Sequence, residues 1–377
     1  MAAPGAITLV LVGDVMTGRG IDQILPHPSP PVLYESYVKS ALDYVALAER
    51  VNGPIARPVD GATIWGEALS ELDRRRPDLT IVNLETAVTR ADQPEPKGIN
   101  YRMHPDNLSC LTAAGIDCCV LANNHVLDWG RQGLVETLEV LERAGLNTAG
   151  AGRTIEQAAA PAVLPVPGKG RVLVYGFASP SSGVPSGWAA TATRPGVNLL
   201  RDPSQAAIAA IAARVGRDRR PGDLVVASIH WGPNWGYDIP ARDRAFAHGL
   251  VEAAGVDIVH GHSSHHAKAV ELHHGRPIFY GCGDFLNDYE GIEGHAAFRD
   301  DLPLMYVVTF GAGSRRLIDL AMVPFNIRRF SLQRPDDADV QWLREEIDRQ
   351  CRRFGGQVRL GEDGALRLSP SGRPPPR

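Results

Sequence analysis

The chain has 377 residues, 44% hydrophobic and 22% charged, the proportions of an ordinary globular protein and not of a disordered one. Its 39 basic and 43 acidic side chains give a formal charge of −4, which argues against a protein that grips nucleic-acid phosphates or an anionic membrane through a basic face. The five cysteines (Cys110, Cys118, Cys119, Cys282, Cys351) are odd in number and form no CxxC pair, so they predict reduced, buried thiols and neither a disulfide framework nor a thiolate zinc site.

Along the chain one pattern recurs: a short β-branched run stops abruptly in polar residues or glycine. The first, at 7–12, ends in Gly13-Asp14. No basic stretch precedes it and it is too short for a secretory hydrophobic segment, while no later run reaches the roughly 18 apolar residues of a membrane span. These features predict a cytoplasmic protein without a membrane span. Residues 21–60 carry Pro26, Pro28, Pro30, Pro31, Tyr34 and Tyr37 and predict an insertion at the site mouth, helical over about 36–50. The second run, 79–82, ends in Asn83-Leu84-Glu85, and the third, 118–122, in Asn123-Asn124-His125 with Asp128 just beyond. Leu134, Leu138 and Leu141 predict a helix over 133–144, stopped by Gly145. A fourth run, 172–177, opens into Ser/Pro-rich sequence at 179–201, a loop or lid. Helical spacing over 204–215 leads to the fifth run, 224–229, which ends in His230-Trp231-Gly232. A helix over 242–254 precedes the sixth, 256–259, which ends in His260-Gly261-His262, with His265 and His266 close by. The seventh, 277–280, ends in Gly281-Cys282-Gly283-Asp284. Beyond 330, a helical and β extension over 331–368 and a disordered tail over 369–377 are expected.

Near-continuous apolar runs suit strands buried on both faces, which means a largely parallel sheet covered by helices and an α/β class. In such sheets the ligand site lies at the carboxyl ends of the strands. Here those ends supply carboxylates (Asp14, Glu85), amides (Asn83, Asn124) and imidazoles (His125, His230, His260, His262). Such a mixed oxygen and nitrogen set suits Mn²⁺, Fe²⁺ or Zn²⁺ in a hydrolytic centre. Trp231 and Trp235 either stack on substrate or pack, and Asp284 and Asp288 either orient a ligand histidine or serve as turn residues.

The order of these groups resembles the calcineurin-like metallophosphoesterase superfamily, and the wording resembles its CapA branch, the poly-γ-glutamate capsule synthesis proteins. The matching pieces are GDVMTGRGID (13–22), IVNLETAVT (81–89), the NNHVLD block within 101–152, IHWGPNWG (229–236) and IVHGHSSHHAKAVELHHGRPIFYGCGDFLNDY (258–289). The resemblance implies a sandwich of two mostly parallel or mixed β-sheets flanked by helices, in one domain over 1–330, with a metal site at the strand carboxyl ends. It implies one or two divalent ions (Mn, Fe or Zn) on Asp14, Glu85, Asn124, His230, His260 and His262. His125 matches the acid/base histidine, with Asp128 beside it and Arg19 as a clamp. Substrate contacts would come from Asn83, Trp231, Trp235, His265 and Asp284. The implied chemistry is hydrolysis or transfer at a γ-glutamyl amide or a phosphoester through metal-activated water. The alternatives are a non-catalytic accessory protein beside a synthase partner, and a tailoring enzyme of a small-molecule pathway. Two departures stand out. Met16 occupies the place of the superfamily's first-motif histidine, and the loop at 261–265 reads Gly-His-Ser-Ser-His where Gly-x-His-Pro-His is typical.

Overall fold

Fifteen strands, described here from a computed structural model that covers residues 5–370, build two sheets. In chain order they are β1 (Ala6–Val15), β2 (Leu79–Leu84), β3 (Cys118–Val120), β4 (Asn147–Ala149), β5 (Ala162–Val166), β6 (Gly170–Ala178) and β7 (Leu224–His230). After these come β8 (Ile258–His262), β9 (Val270–His273), β10 (Arg276–Phe279), β11 (Asp284–Leu286), β12 (Leu304–Gly311), β13 (Leu317–Pro324), β14 (Gly356–Leu360) and β15 (Leu366–Pro370). The first sheet runs β14-β15-β13-β12-β1-β2-β3-β4, with β11 on the end of β1, and the second runs β9-β10-β8-β7-β6-β5. In the first, β1 to β4 are parallel and β12 to β15 antiparallel; in the second, β6, β7, β8 and β10 are parallel.

The two sheets face each other across one core. Val172, Val174, Val226, Ile258 and Phe279 of the second sheet pack with Val10, Val12 and Val82 of the first. Of the longer helices, α1 (Ala41–Asn52) and α2 (Gly130–Arg143) come earlier in the chain than α3 (Gln205–Asp218) and α4 (Ala241–Glu252). The alternate strand residues Leu173, Tyr175, Val225, Ile229 and Val259 point outward, onto α3 and α4. Burial on both faces is the reason the strand runs are apolar throughout. The α/β sandwich expected from the sequence is the fold observed.

Local chemistry sets the helix bounds. Ser40 caps α1, its hydroxyl accepting from the Leu42 N–H at 3.3 Å, so this helix starts later than the run over 36–50 suggested. The stretch 179–201 holds short 3₁₀ turns and pairs Gly196–Val197 with Ala151–Gly152. Past 330, α5 (Asp337–Arg352) is followed by β14 and β15, which extend the first sheet through β13. Ser369 and Pro370 close the last strand, and the remainder of the expected disordered tail lies outside the described residues. Among the described residues, no helix is long and apolar enough to cross a membrane.

One backbone contact closes the carboxyl end of β1 against the residue that precedes β11. Asp14 N–H donates to Gly283 O at 3.0 Å, and a Cβ on Gly13 would fall 1.8 Å from that same oxygen. Only glycine lets the two backbones approach this closely.

Candidate metal centre

Period-two alternation delivers most of the centre. Ser228 and His230 lie two apart on β7, and His260 and His262 two apart on β8. The parallel register pairs Ser228 with His260 and His230 with His262, so all four point into the sandwich toward β1. Across from them β1 ends in Asp14, which is in register with Asn83 of β2 and Asp284 of β11. Asp14, His230 and His262 then form one group of potential ligands and Asp14, His265 and Asp284 another, each with its donor atoms within 4.8 Å of one another and each wholly buried. Asp14 belongs to both.

A buried hydrogen-bond chain fixes which nitrogen of His262 faces the centre. His260 Nε2 lies 3.0 Å from Val12 O, which can only accept, so Nε2 carries the proton. Burial holds His260 down at about 4, leaving Nδ1 a lone pair that takes the Ser228 hydroxyl proton at 2.9 Å. Ser228 Oγ in turn accepts from His262 Nε2 at 2.9 Å. The lone pair on His262 Nδ1 is thereby turned to His230 Nδ1 at 2.8 Å and to Asp14 Oδ1 at 3.8 Å. Ser228→Ala is expected to free the His262 tautomer and weaken metal affinity by about 10- to 100-fold with the fold intact. A chelator-competition titration measures this, and an affinity within about twofold of wild type would refute the orienting role.

The donor set fits a divalent cation. His230 Nε2 donates to Asn124 Oδ1 at 2.9 Å, so a neutral His230 presents a lone pair at Nδ1, directly opposite that of His262. Burial, helped by the neighbouring histidines, holds both rings well below the ordinary histidine value, so neither carries a second proton to fill the gap. Two opposed lone pairs beside a carboxylate are relieved by a cation. The carboxylates tell the same story. Burial and Asp284 push Asp14 up to about 7, and burial and Asp14 push Glu85 well above the carboxylate range.

Those shifts set the pH response of the metal-free protein. Asp14 and Glu85 have folded-state values raised above their unfolded ones, so they subtract stability as pH rises from about 4 through 7. His260, depressed to about 4, acts oppositely, adding stability as pH climbs from 4 toward 6.5. Above 6.5 the carboxylates act together with His265, which Asp284 and Asp14 hold above the ordinary histidine value and which likewise subtracts stability as pH rises. In EDTA, urea unfolding is expected to show a loss of about 2 kcal/mol between pH 6.5 and 8, and a flatter profile in Asp14→Asn. A metal-free profile that stays level or rises would contradict an uncompensated buried carboxylate pair.

On the opposite wall, His125 Nδ1 donates to Asp128 Oδ2 at 2.6 Å and its Nε2 stands 3.8 Å from Glu85 Oε1. Burial outweighs Asp128 and holds the ring at about 4, so Nε2 is a free lone pair at neutral pH. Asp128 is itself pinned by Lys97 Nζ at 2.7 Å and by the Tyr101 N–H at 2.6 Å. Lys97 also donates to Asn124 O, and the Tyr101 ring stands edge-on to His125 at 4.2 Å.

The other expected site residues are placed as follows. His260 stands outside both groups of potential ligands, with its nitrogens engaged by Val12 and Ser228. Arg19 is no free clamp: its guanidinium is buried, bound to Asp288 through Nε at 3.2 Å and to Glu35 through Nη1 at 2.9 Å, and packed over Tyr44. Asn83 is locked between Asp14 at 2.7 Å, Glu85 at 3.2 Å and Asn123 at 3.1 Å, so it braces the acids. Trp231 packs on Tyr280 and gives its Nε1–H to Tyr280 O at 3.0 Å, a core role. Trp235 stacks on His295 at 3.9 Å and lies 5.3 Å from the His265 ring. Met16 stays out of both groups, its sulfur 3.9 Å from the Tyr289 hydroxyl, and Asp284 supplies the donor on that side. His265 Nδ1 bonds Asp284 Oδ1 at 2.8 Å; burial lowers this ring but Asp284 and Asp14 outweigh it and hold it above the ordinary value. Cys282 is buried with its thiol pushed far up, so it is no nucleophile.

Several working residues carry no signal in the sequence. Ser228 is one. Lys97 is another, and so is Ser263, whose N–H donates to Asp14 Oδ2 at 3.1 Å from a positive φ of 100°. Asn123, though inside the recognised block, holds the His125 N–H at 3.1 Å and ties it to β2.

Comparison with known proteins adds to this geometry. The family described as bacterial capsule synthesis protein PGA_cap matches residues 8–289. A "probable polyglutamine synthesis accessory protein" of Mycobacterium tuberculosis H37Rv is 49% identical over 370 residues, 98% of this chain and 97% of its own. The PGA biosynthesis protein CapA of Bacillus subtilis is 28% identical over 298 residues, 78% of this chain and 66% of its own. A crystal structure of a Mycoplasma pneumoniae phosphatase superposes over 89% of this chain and 96% of its own at 10% identity, with a TM-score of 0.47 that is too low to argue a shared fold.

Proposed function

Since the chain belongs to the bacterial capsule synthesis PGA_cap family, we propose that it is a divalent-metal-dependent hydrolase or transferase acting on a γ-glutamyl amide of a glutamyl polymer or its precursor. The observation that carries this reading is the sharing of Asp14 by two groups of potential ligands, with His125 Nε2 3.8 Å from Glu85, which itself stands 3.8 Å from His230 of the first group. Asp14, His230 and His262 would hold one cation and Asp14, His265 and Asp284 a second, with Glu85 between the first group and His125. A divalent cation there supplies Lewis acidity toward water and a substrate oxygen.

The chain's own residues supply the rest. His125 Nε2 takes the proton from the attacking nucleophile and returns it to the departing amine. Asp128 accepts from Nδ1 and keeps the ring in plane, and Lys97 holds Asp128 in place. Asn124 steadies His230 through Nε2, while its backbone carbonyl is held by Lys97. Trp235 and His295 form a stacked pair on which a substrate chain can lie.

The test is turnover by the metal-reconstituted protein, with γ-glutamyl oligomers and a panel of phosphoesters in parallel. Release of amines from the oligomers, abolished by EDTA, is the expected result. Metal-dependent release of phosphate alone would move the chemistry to the phosphoester class. A second reading, an accessory protein that assists a synthase without catalysis, is favoured by the printed names of the Mycobacterium relatives. It predicts no turnover of either class and co-purification with a synthase partner.

A further inference from the structure

Beside the centre, behind the loop that follows β11, lies a cavity of about 500 Å³, within the usual range of small-ligand clefts (roughly 300–1,000 Å³). One residue separates it from the ligand groups. Asn287, on its wall, donates to Asp284 Oδ2 at 2.8 Å and to Asp300 O at 3.2 Å.

Most charges on its walls are already spent. Arg299 is held by Asp301 at 2.7 Å and by Asp339 at 2.7 Å. Glu290 accepts the backbone N–H groups of Arg329 and Phe330, each at 2.7 Å. Arg334 reaches outward to Glu71 at 2.9 Å. Two groups remain. The half-buried carboxylate of Asp300 makes no ion pair and receives no side-chain hydrogen bond among the described residues, and burial with nearby Asp284 and Asp301 pushes it up to about 7. Arg328, exposed at the rim, makes no ion pair and bonds only Asn52 Oδ1 at 3.2 Å among the described residues.

An uncompensated carboxylate on the inner wall calls for a cation, and an unpaired guanidinium at the rim for an anion. A free anion meets the surplus of wall carboxylates, and an apolar ligand leaves both groups unpaired. A molecule carrying an ammonium and a carboxylate satisfies both. We infer that this cavity binds the amino-terminal end of a γ-glutamyl peptide, its ammonium at Asp300 and an α-carboxylate at Arg328. The inference rests on the γ-glutamyl reading above and names the end of the substrate that is held next to the centre.

The experiment is calorimetric titration of the full chain with γ-L-glutamyl-L-glutamate and with its N-acetyl derivative, in wild type, Asp300→Asn and Arg328→Met, with metal content measured on each. Saturable binding is expected in wild type, weakened by about tenfold or more on acetylation or in Asp300→Asn. In Asp300→Asn the two peptides should bind alike, and Arg328→Met should weaken both, with metal content unchanged throughout. No saturable binding of the dipeptide, equal binding of the acetylated form to wild type, or wild-type binding in Asp300→Asn would each overturn the inference. The two readings fail separately. Amine-dependent binding with no metal and no turnover sinks the hydrolase and leaves the cavity, while metal-dependent turnover indifferent to Asp300→Asn sinks the cavity and leaves the hydrolase.

Discussion

Asp14→Asn is expected to strip the centre of metal altogether, whereas His230→Ala and His265→Ala each remove only one share of it. The asymmetry follows from geometry. Asp14 is the one residue common to both groups of potential ligands, whereas His230 and His265 belong to one group each. The amide keeps the size of the side chain and its bond to Asn83, so the fold should survive, but it removes the negative charge from a site where burial makes charge most consequential. Plasma mass spectrometry after Mn or Zn reconstitution should give about one or two equivalents in wild type and less than about a tenth in Asp14→Asn, from an affinity loss beyond about a hundredfold. His230→Ala and His265→Ala should keep about half of a two-ion content. Wild-type content in Asp14→Asn would dismiss the shared-ligand arrangement. Loss of all metal in either histidine variant would show that the two positions fill only together.

His125→Gln should separate chemistry from metal binding. The glutamine cannot shuttle a proton, yet it leaves the ligand groups untouched. Turnover of whichever substrate class proves active should drop by about 10² to 10⁴ while metal content holds. Asp128→Asn should fall between this variant and wild type, because it misorients the ring without removing it. The pH profile discriminates a proton-transfer role from a structural one. Wild type should lose activity as the medium becomes acid enough to protonate Nε2, a group held near 4 by burial, and His125→Gln should lack that limb. Turnover in His125→Gln within about threefold of wild type would remove His125 from the proton path.

The parallel half of the fold was legible because its strands are buried on both faces, which writes an apolar run followed by a sudden polar stop. All seven such runs are strands, and their ends meet. The antiparallel strands β12 and β13 were not read. They have the same apolar character, but they end away from any motif, so nothing in their neighbourhood marked them. Residue type and strand end pointed to Asp14, Glu85, His230 and His262, which the structure brings into one buried cluster. They were not enough to rank His260 against His265. On β8 the side chains of His260 and His262 share a face, and alternation cannot say which is nearer the strand's end in space. His265 reaches the centre from a loop, where no periodicity applies. Arg19 illustrates the opposite difficulty. Its place beside a ligand motif suggested catalysis, but its partners, Glu35 and Asp288, come from segments far apart in sequence, and no local pattern encodes that pairing. Ser228 illustrates a third case: a residue of unremarkable type whose function lies only in which nitrogen it leaves exposed.

The contact between Gly13 and the Gly283 carbonyl has a metrical consequence. Asp14 and Asp284 follow these two residues directly, and the peptide groups before them are wedged together with no side chain between. The spacing between the two acids is therefore ruled by main-chain planes, which yield far less than rotamers do. Any cation the two acids shared would therefore meet side chains rooted on a fixed baseline, with only their rotamers left to fit it.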